Sequence, residues 1–202
     1  MQGTDSRAHN AMISFDPFPV LETPRLVLRQ IVDADAEALF RISSDPEVMR
    51  YYGRAPEQSI DETMQRIEKI TASIREFTSI RWALTLRESG ELIGGAGFWR
   101  WNKQHFLAEI GYELLPAHWG RGLMTEALRP IFRFGFEAME LHRVEANIHP
   151  ANRASARVLE RLGFVQEGLL REAFCQDGLF TDNAVYGLLQ RDFVDDGAPA
   201  AP

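Results

Sequence analysis

Gly120-Arg121-Gly122 lies between a strand-like segment ended by Pro116 and a helix-like run that begins near Arg121. Glycine lets backbone N–H groups turn toward a bound group with no Cβ in the way. The following helix adds unpaired N–H groups and the positive end of its dipole. Such a loop can seat an anion of the pyrophosphate kind. It can equally be a tight strand-to-helix turn, and the two glycines alone do not decide. Two nucleotide signatures fail. No Lys follows Gly122, as a G-x-x-x-x-G-K-[ST] loop requires, and Thr125 sits at the third glycine of the G-x-G-x-x-G fingerprint. Downstream, Asn152 and Ser155 open a second helix-like segment, where Asn152 has the chemistry of an N-cap. The single cysteine, Cys175, cannot form an internal disulfide or a multi-thiolate site, and reads as a plain buried or half-buried thiol. The five histidines show no H-E-x-x-H or related spacing, so no metal is expected.

Alternating and helical patterns supply the elements that must position these residues. Residues 25–32 alternate as a strand, and 33–42, with acids in the first turn, reads as a short helix. A second helix is expected over 59–77, with Ile60, Met64, Ile67, Ile70 and Ile74 as its core-facing stripe. Strands follow at 80–86, 91–101 and 106–115, with a hairpin turn at 88–90. A helix then runs from near Arg121 to about Met139, and Pro130 inside it should kink or loosen it. A strand at 143–148, a helix at 152–164 stopped by Gly163, and strands at 164–174 and 183–190 complete the order β-α-α-β-β-β-α-β-α-β-β. That order predicts an α+β (α/β) domain with a mixed sheet covered on its faces.

A chain of 202 residues, 45% apolar and 25% charged, fits one globular domain. We expect it over 21–194, after a flexible leader at 1–20 and before a disordered tail at 195–202. The net charge of −7 makes direct nucleic-acid binding a poor expectation, although a local basic pocket is compatible with it. The first ten residues have no signal-peptide apolar core, and no run approaches membrane-spanning length. No membrane partner and a reducing, cytoplasmic location are the expectations.

Three segments, "LETPRLVLR" (21–29), "AEIGYELLPAHWGRGLMTEAL" (108–128) and "NRASARVLERLGF" (152–164), resemble in order and spacing the GNAT acyl-CoA-dependent N-acetyltransferases. The similarity is to the RimJ/RimL-like branch that acetylates ribosomal-protein N-termini, and it spans about residues 20–190. The resemblance implies a mixed, mostly antiparallel sheet that splays open beside its fourth strand, here about 107–114. It implies acetyl-CoA as donor, with the pantetheine arm on that strand near Ile110 and the pyrophosphate on the loop 119–125. In the family loop Gln/Arg-x-x-Gly-x-Gly/Ala, Trp119 takes the first position, Gly122 matches the first glycine, and Met124 stands where a small residue is usual. Gly120, Arg121, Gly122, Met124 and Thr125 would surround the phosphates, with Arg121, Arg153 and Arg157 as candidate counter-charges. Asn152 would bind the pantetheine.

Amide formation from an ammonium ion needs a base for the amine, polarisation of the thioester carbonyl, and in some cases a proton for the leaving thiolate. Glu109 and Glu113, four apart on one strand, share a face. The resemblance puts Glu109 beside the substrate amine as the proton acceptor. A backbone N–H near Ile110 or Gly111 would meet the oxyanion. Leu159 occupies the position where many relatives carry an acidic tyrosine, and Ser155 is the stand-in near the sulfur. Tyr51, Tyr52, Arg81, Trp82, Trp99, Trp101 and Glu113 are candidates for the acceptor side. The implied activity is direct acetyl transfer to a primary amine, a protein N-terminus above all, by a monomer or homodimer. Small-molecule amines and a non-catalytic acyl-CoA sensor stay open as alternatives.

Overall fold

The computed structural model describes residues 14–176 and 178–195. Eight strands form one sheet: β1 (Leu21–Glu22), β2 (Leu26–Gln30), β3 (Ile80–Leu86), β4 (Leu92–Asn102), β5 (Leu107–Leu114), β6 (Arg143–Ile148), β7 (Val165–Gln176) and β8 (Leu179–Leu189). Their spatial order is β1-β2-β3-β4-β5-β6-β8-β7. Every pairing is antiparallel except β5 with β6. The helices are α1 (Ala36–Ser43), α2 (Pro46–Met49), α3 (Ile60–Arg75), α4 (Leu123–Glu137) and α5 (Arg153–Arg161). No described helix is long and apolar enough to cross a membrane.

The sheet divides in its middle. β5 and β6 are in register only at Leu107↔Arg143, Ala108↔Val144 and Glu109↔Glu145. Beyond Glu109 the strands diverge, while β5 stays paired with β4 down to Gly94↔Leu114. β4 and β3 are drawn close by Gly97, where a Cβ would lie 2.2 Å from the Ile80 carbonyl oxygen. The larger core cluster, with Leu26, Phe98, Ile110, Leu123, Leu128, Phe132 and Leu159, sits between the sheet and α4 and α5. A second cluster of Leu39, Ile42, Ile67, Ala83 and Leu92 packs α1 and α3 on the other face.

Local signals account for the helix ends. Ser59 caps α3 by accepting from the Glu62 N–H, and Asn152 caps α5 by accepting from the Ser155 N–H at 3.1 Å. Gly163, at φ +89°, follows α5 in the left-handed region.

Several expectations need correction. Ile60 is exposed, and Thr63 takes the inward place in α3 with its hydroxyl on buried Glu57. α4 runs unbroken through Pro130, which removes one intrahelical donor. β7 and β8 extend toward each other as far as Gly178, at φ +79°, so the last strand begins at Leu179 rather than 183. Cys175 is exposed on β7. In the expected leader, residues 14–20 pack on the domain: Phe15 is buried in the core, and the Pro19 carbonyl accepts from Trp82 Nε1 at 2.7 Å. The rest of the leader (1–13) and most of the tail (196–202) lie outside the described residues.

Candidate active site

The parting of β5 and β6 opens a cleft of about 760 Å³. Its edge follows from strand geometry. The Leu115 N–H donates to Ile93 O, so odd-numbered residues of β5 turn their backbone groups toward β4. Alternation turns the groups of Ile110 and Tyr112 the other way, toward β6. The Glu109↔Glu145 pair takes up the Ile110 N–H, and beyond it the Ile110 C=O and the N–H and C=O of Tyr112 face the opening, where β6 has moved out of reach. Side chains alternate too: Glu109, Gly111 and Glu113 share one face with Arg81, Gly95, Gly97 and Trp99.

Gly120 (φ +72°) and Gly122 (φ +75°) both lie in the left-handed region, and nothing approaches within 4 Å of where a Gly120 Cβ would be. Gly122 caps α4, whose first backbone bond is Glu126 N–H to Gly122 O. The N–H groups of Leu123, Met124 and Thr125 are therefore left over at the cleft. The loop is fastened at three points. Trp119 Nε1 donates to Leu114 O at 2.7 Å. Arg25 Nη1 donates to Arg121 O at 3.0 Å. Arg25 Nε and Thr23 Oγ1 both donate to the Glu126 carboxylate, at 2.6 and 2.7 Å. Met124 is buried, so its bulk goes into the core while its backbone stays at the cleft.

Across the cleft, α5 presents Asn152, Arg153, Ser155, Arg157 and Arg161. The Arg121 side chain is a correction: it does not line the cleft, and its carbonyl is turned to Arg25. Asn152 uses Oδ1 as the cap, which leaves its amide donor for the cleft. Among the described residues, buried His118 Nδ1 has no hydrogen-bond partner, and His118 lines the same cleft. Left-over N–H groups, three arginines and an open strand edge fit a phosphorylated, amide-bearing donor such as acetyl-CoA.

Glu109 is buried beside Ile110. Burial raises its carboxyl above the ordinary range, although an Asn147 hydrogen bond and Arg100, whose Nη1 is 3.2 Å from Oε2, pull the other way. Asn147 is itself oriented by Asn183 Nδ2, which donates to its Oδ1 at 2.9 Å. Glu113 is in a different state. Burial opposes its charge, but ion pairing with Arg81 and a 2.6 Å hydrogen bond from Tyr52 hold its carboxyl below the ordinary range. The Tyr52 phenol is pushed up to about 12, chiefly by burial. Ser155 Oγ lies 2.6 Å from the Tyr112 hydroxyl. Burial raises the Tyr112 phenol, so it stays protonated at neutral pH.

Tyr51, Tyr52, Arg81, Trp99 and Glu113 line the cleft with Glu109. Two expected acceptor-side residues do not. Trp82 alternates away from Arg81 into the core, where it is fully buried. Trp101 lies past the register shift after Trp99 and packs on Phe15, with Lys103 Nζ 4.8 Å from its ring. Sequence reasoning missed Asn147, Tyr112 and the Thr23–Arg25–Glu126 clamp. The polar positions on strand segments were visible, but their partners lie far off in the chain.

The GNAT acetyltransferase domain family matches residues 25–165. The uncharacterized N-acetyltransferase YoaA of Bacillus subtilis is 42% identical over 173 residues, covering 86% of this chain and 98% of that one. The [ribosomal protein uS5]-alanine N-acetyltransferase of Escherichia coli is 29% identical over 182 residues, covering 86% and 92%. Among solved structures, Mycobacterium smegmatis RimJ in complex with CoA-disulfide superposes with a TM-score of 0.75 at 25% identity, covering 82% of each chain. The divided sheet, the clamped glycine loop and these relatives together establish that the chain belongs to the GNAT family and is an N-acetyltransferase that uses acetyl-CoA.

Proposed function

We propose that the enzyme acetylates a primary amine by direct transfer, with a protein N-terminal α-amine as the acceptor class. The observation that carries the chemistry is the place of Glu109: a buried carboxyl with a raised pKa at the last paired position before the strands β5 and β6 part. A carboxyl whose pKa burial raises is a stronger base than a free one, and so better matched to taking a proton from an ammonium ion. Acetyl-CoA supplies the acyl carbon and a thiolate leaving group. A backbone N–H of β5 at the parting of the strands donates to the carbonyl oxygen as negative charge develops there. Glu109 takes the amine proton, held in place by Asn147 and Arg100. Ser155 hydrogen-bonds the departing sulfur, the Tyr112 hydroxyl 2.6 Å behind it orients the Ser155 hydroxyl, and the thiolate takes its proton from solvent. Gly120, Gly122, Met124 and Thr125 bind phosphate through backbone N–H groups, with Arg153 and Arg157 as counter-charges. Asn152 binds the amide-bearing arm.

One observation supports an N-terminal acceptor: the similarity to the uS5-alanine N-acetyltransferase extends over most of both chains. The lone Cys175 fits a reducing cytoplasm, the location we propose. Thiol release with acetyl-CoA, measured over free-N-terminus peptides, aminoglycosides and polyamines, tests the reading. Peptide turnover with no turnover of blocked peptides is expected. Turnover of only small amines would overturn the acceptor class, and tight CoA binding with no turnover would overturn the enzymatic role.

A further inference from the structure

A smaller groove of about 200 Å³ leads off the acceptor side of the cleft. Tyr52, Arg54, Arg81 and Trp99 line both, so the two spaces are continuous. Trp99 is the register partner of Glu109, which places the groove one side chain from the proposed base. Arg66 lines its far side.

Each arginine here is held by a carboxylate more buried than itself. Glu57, with its side chain 6% exposed, accepts from Arg54 Nη1 at 3.1 Å and from Arg66 Nε at 2.7 Å. Its other oxygen accepts from Ser43 and Thr63 hydroxyls, so Glu57 is saturated. Arg54 is 36% exposed and Arg66 20%. Among the described residues, Arg54 Nη2 and both Nη atoms of Arg66 have no hydrogen-bond partner. Glu113 similarly holds Arg81 from below. Three guanidinium groups thus face two buried carboxylates, leaving one net positive charge. Both arginines that carry unspent N–H groups line the groove. Fixed, partly desolvated guanidinium forks with free donors recognise carboxylate and phosphate. A second ammonium group would meet repulsion there.

We propose that this groove is an anion subsite, and that the preferred acceptor is an amine with a carboxylate or phosphate a few bonds away. Resting on the assignment of Glu109 as base, this narrows the acceptor class to acidic N-termini and acidic amino compounds. Polyamines are disfavoured.

The test pairs acceptors that differ only in charge: Ala-Asp-Ala-amide against Ala-Asn-Ala-amide, and a free amino acid against its amide. The peptide pair and the small-molecule pair report separately on the two sources of the anion. Expected is a kcat/KM ratio of at least about 10 for the anionic member of at least one pair, equivalent to about 1.4 kcal/mol. In Arg54→Gln and in Arg66→Gln that ratio falls toward one. Equal kcat/KM within both pairs, or a ratio unchanged in both variants, overturns the subsite. A second measurement does not depend on turnover: inorganic phosphate titrated into the CoA-bound enzyme, followed at the Trp99 indole N–H resonance. A saturable shift that is lost in Arg66→Gln is expected, and no shift overturns the proposal. If phosphate binds but no amine is acetylated, the anion subsite stands and the base assignment fails.

Discussion

Arg25 Nη1 donates to the carbonyl oxygen of Arg121 at 3.0 Å, joining the start of β2 to the glycine loop 96 residues later. The same guanidinium is ion-paired with Glu126, one turn into α4. Arg25 thus turns one loop carbonyl away from the cleft and neutralises the only acid in the first turn of that helix. Removing it should loosen the cradle without touching the chemistry. Arg25→Ala is expected to weaken CoA binding about 10-fold, or about 1.4 kcal/mol, with kcat little changed. Calorimetric titration beside steady-state kinetics checks this. Because Arg25 and Glu126 act as a unit, Glu126→Ala should add little to Arg25→Ala.

Glu109→Gln separates chemistry from binding. The variant should lose roughly 100-fold or more in kcat, with CoA affinity preserved. In the parent, kcat/KM should rise with pH through the raised carboxyl pKa, and the variant should lack that limb. Stopped-flow thiol release across pH measures both.

The same residue has a stability signature of definite sign. Burial raises the Glu109 pKa in the folded state, so folding favours the protonated form. The gain is complete below the unfolded carboxyl value and is lost as pH rises through the folded one. Glu109→Gln, which mimics the neutral form, should therefore melt higher than the parent near neutral pH, and the gap should close in acid. An inactive variant that is more stable would mark the strain as part of the site. A lower melting temperature near neutral pH would contradict the burial argument.

Glu57 behaves oppositely. Burial works against its charge, but Arg66, Ser43 and Thr63 hold its carboxyl down at about 2. Its contribution to stability is present above the ordinary carboxylate range and is lost as pH falls toward about 2. Glu57→Gln leaves donors without their acceptor and is expected to cost about 2 kcal/mol near neutral pH. Urea unfolding at several pH values should show that cost shrinking only in strong acid.

The Tyr112–Ser155 pair should be non-additive. Tyr112→Phe removes the hydroxyl that lies 2.6 Å from Ser155 Oγ. A thiolate leaves readily, so each single variant should lose only about 10-fold in kcat, less than the usual acid–base effect. The double variant should lose little more. Full additivity would show two independent roles.

How much of this was legible in the sequence depended on distance along the chain. The strand at Arg143–Ile148 matches its alternation residue for residue, and Asn152 caps α5 as its type predicts. Periodicity places side chains on faces, and capping acts over three or four residues. The split between β5 and β6 is a tertiary feature, and local pattern alone is silent on it. Trp82 and Arg81 are neighbours in sequence, yet one is core and the other cleft; which is which depends on the register against Gly97 and Ala96. The Arg25, Glu57 and Asn147 contacts join segments that no local signal links. The short α2 was readable after all: Asp45 accepts from the Glu47 and Val48 N–H groups, and Pro46 follows it.

An unpaired strand edge on a protein surface attracts any extended polypeptide, and aggregation often begins there. β5 has such an edge over its second half, but the edge is sunk inside the sheet. Another protein's strand arrives with side chains above and below and a sheet behind it. The first turns of α4 and α5 and the Trp119 indole stand where that bulk would go. What can reach the bare amides is a single thin chain with amides of its own. The same parting that exposes hydrogen-bonding groups to a small ligand thus withholds them from other proteins.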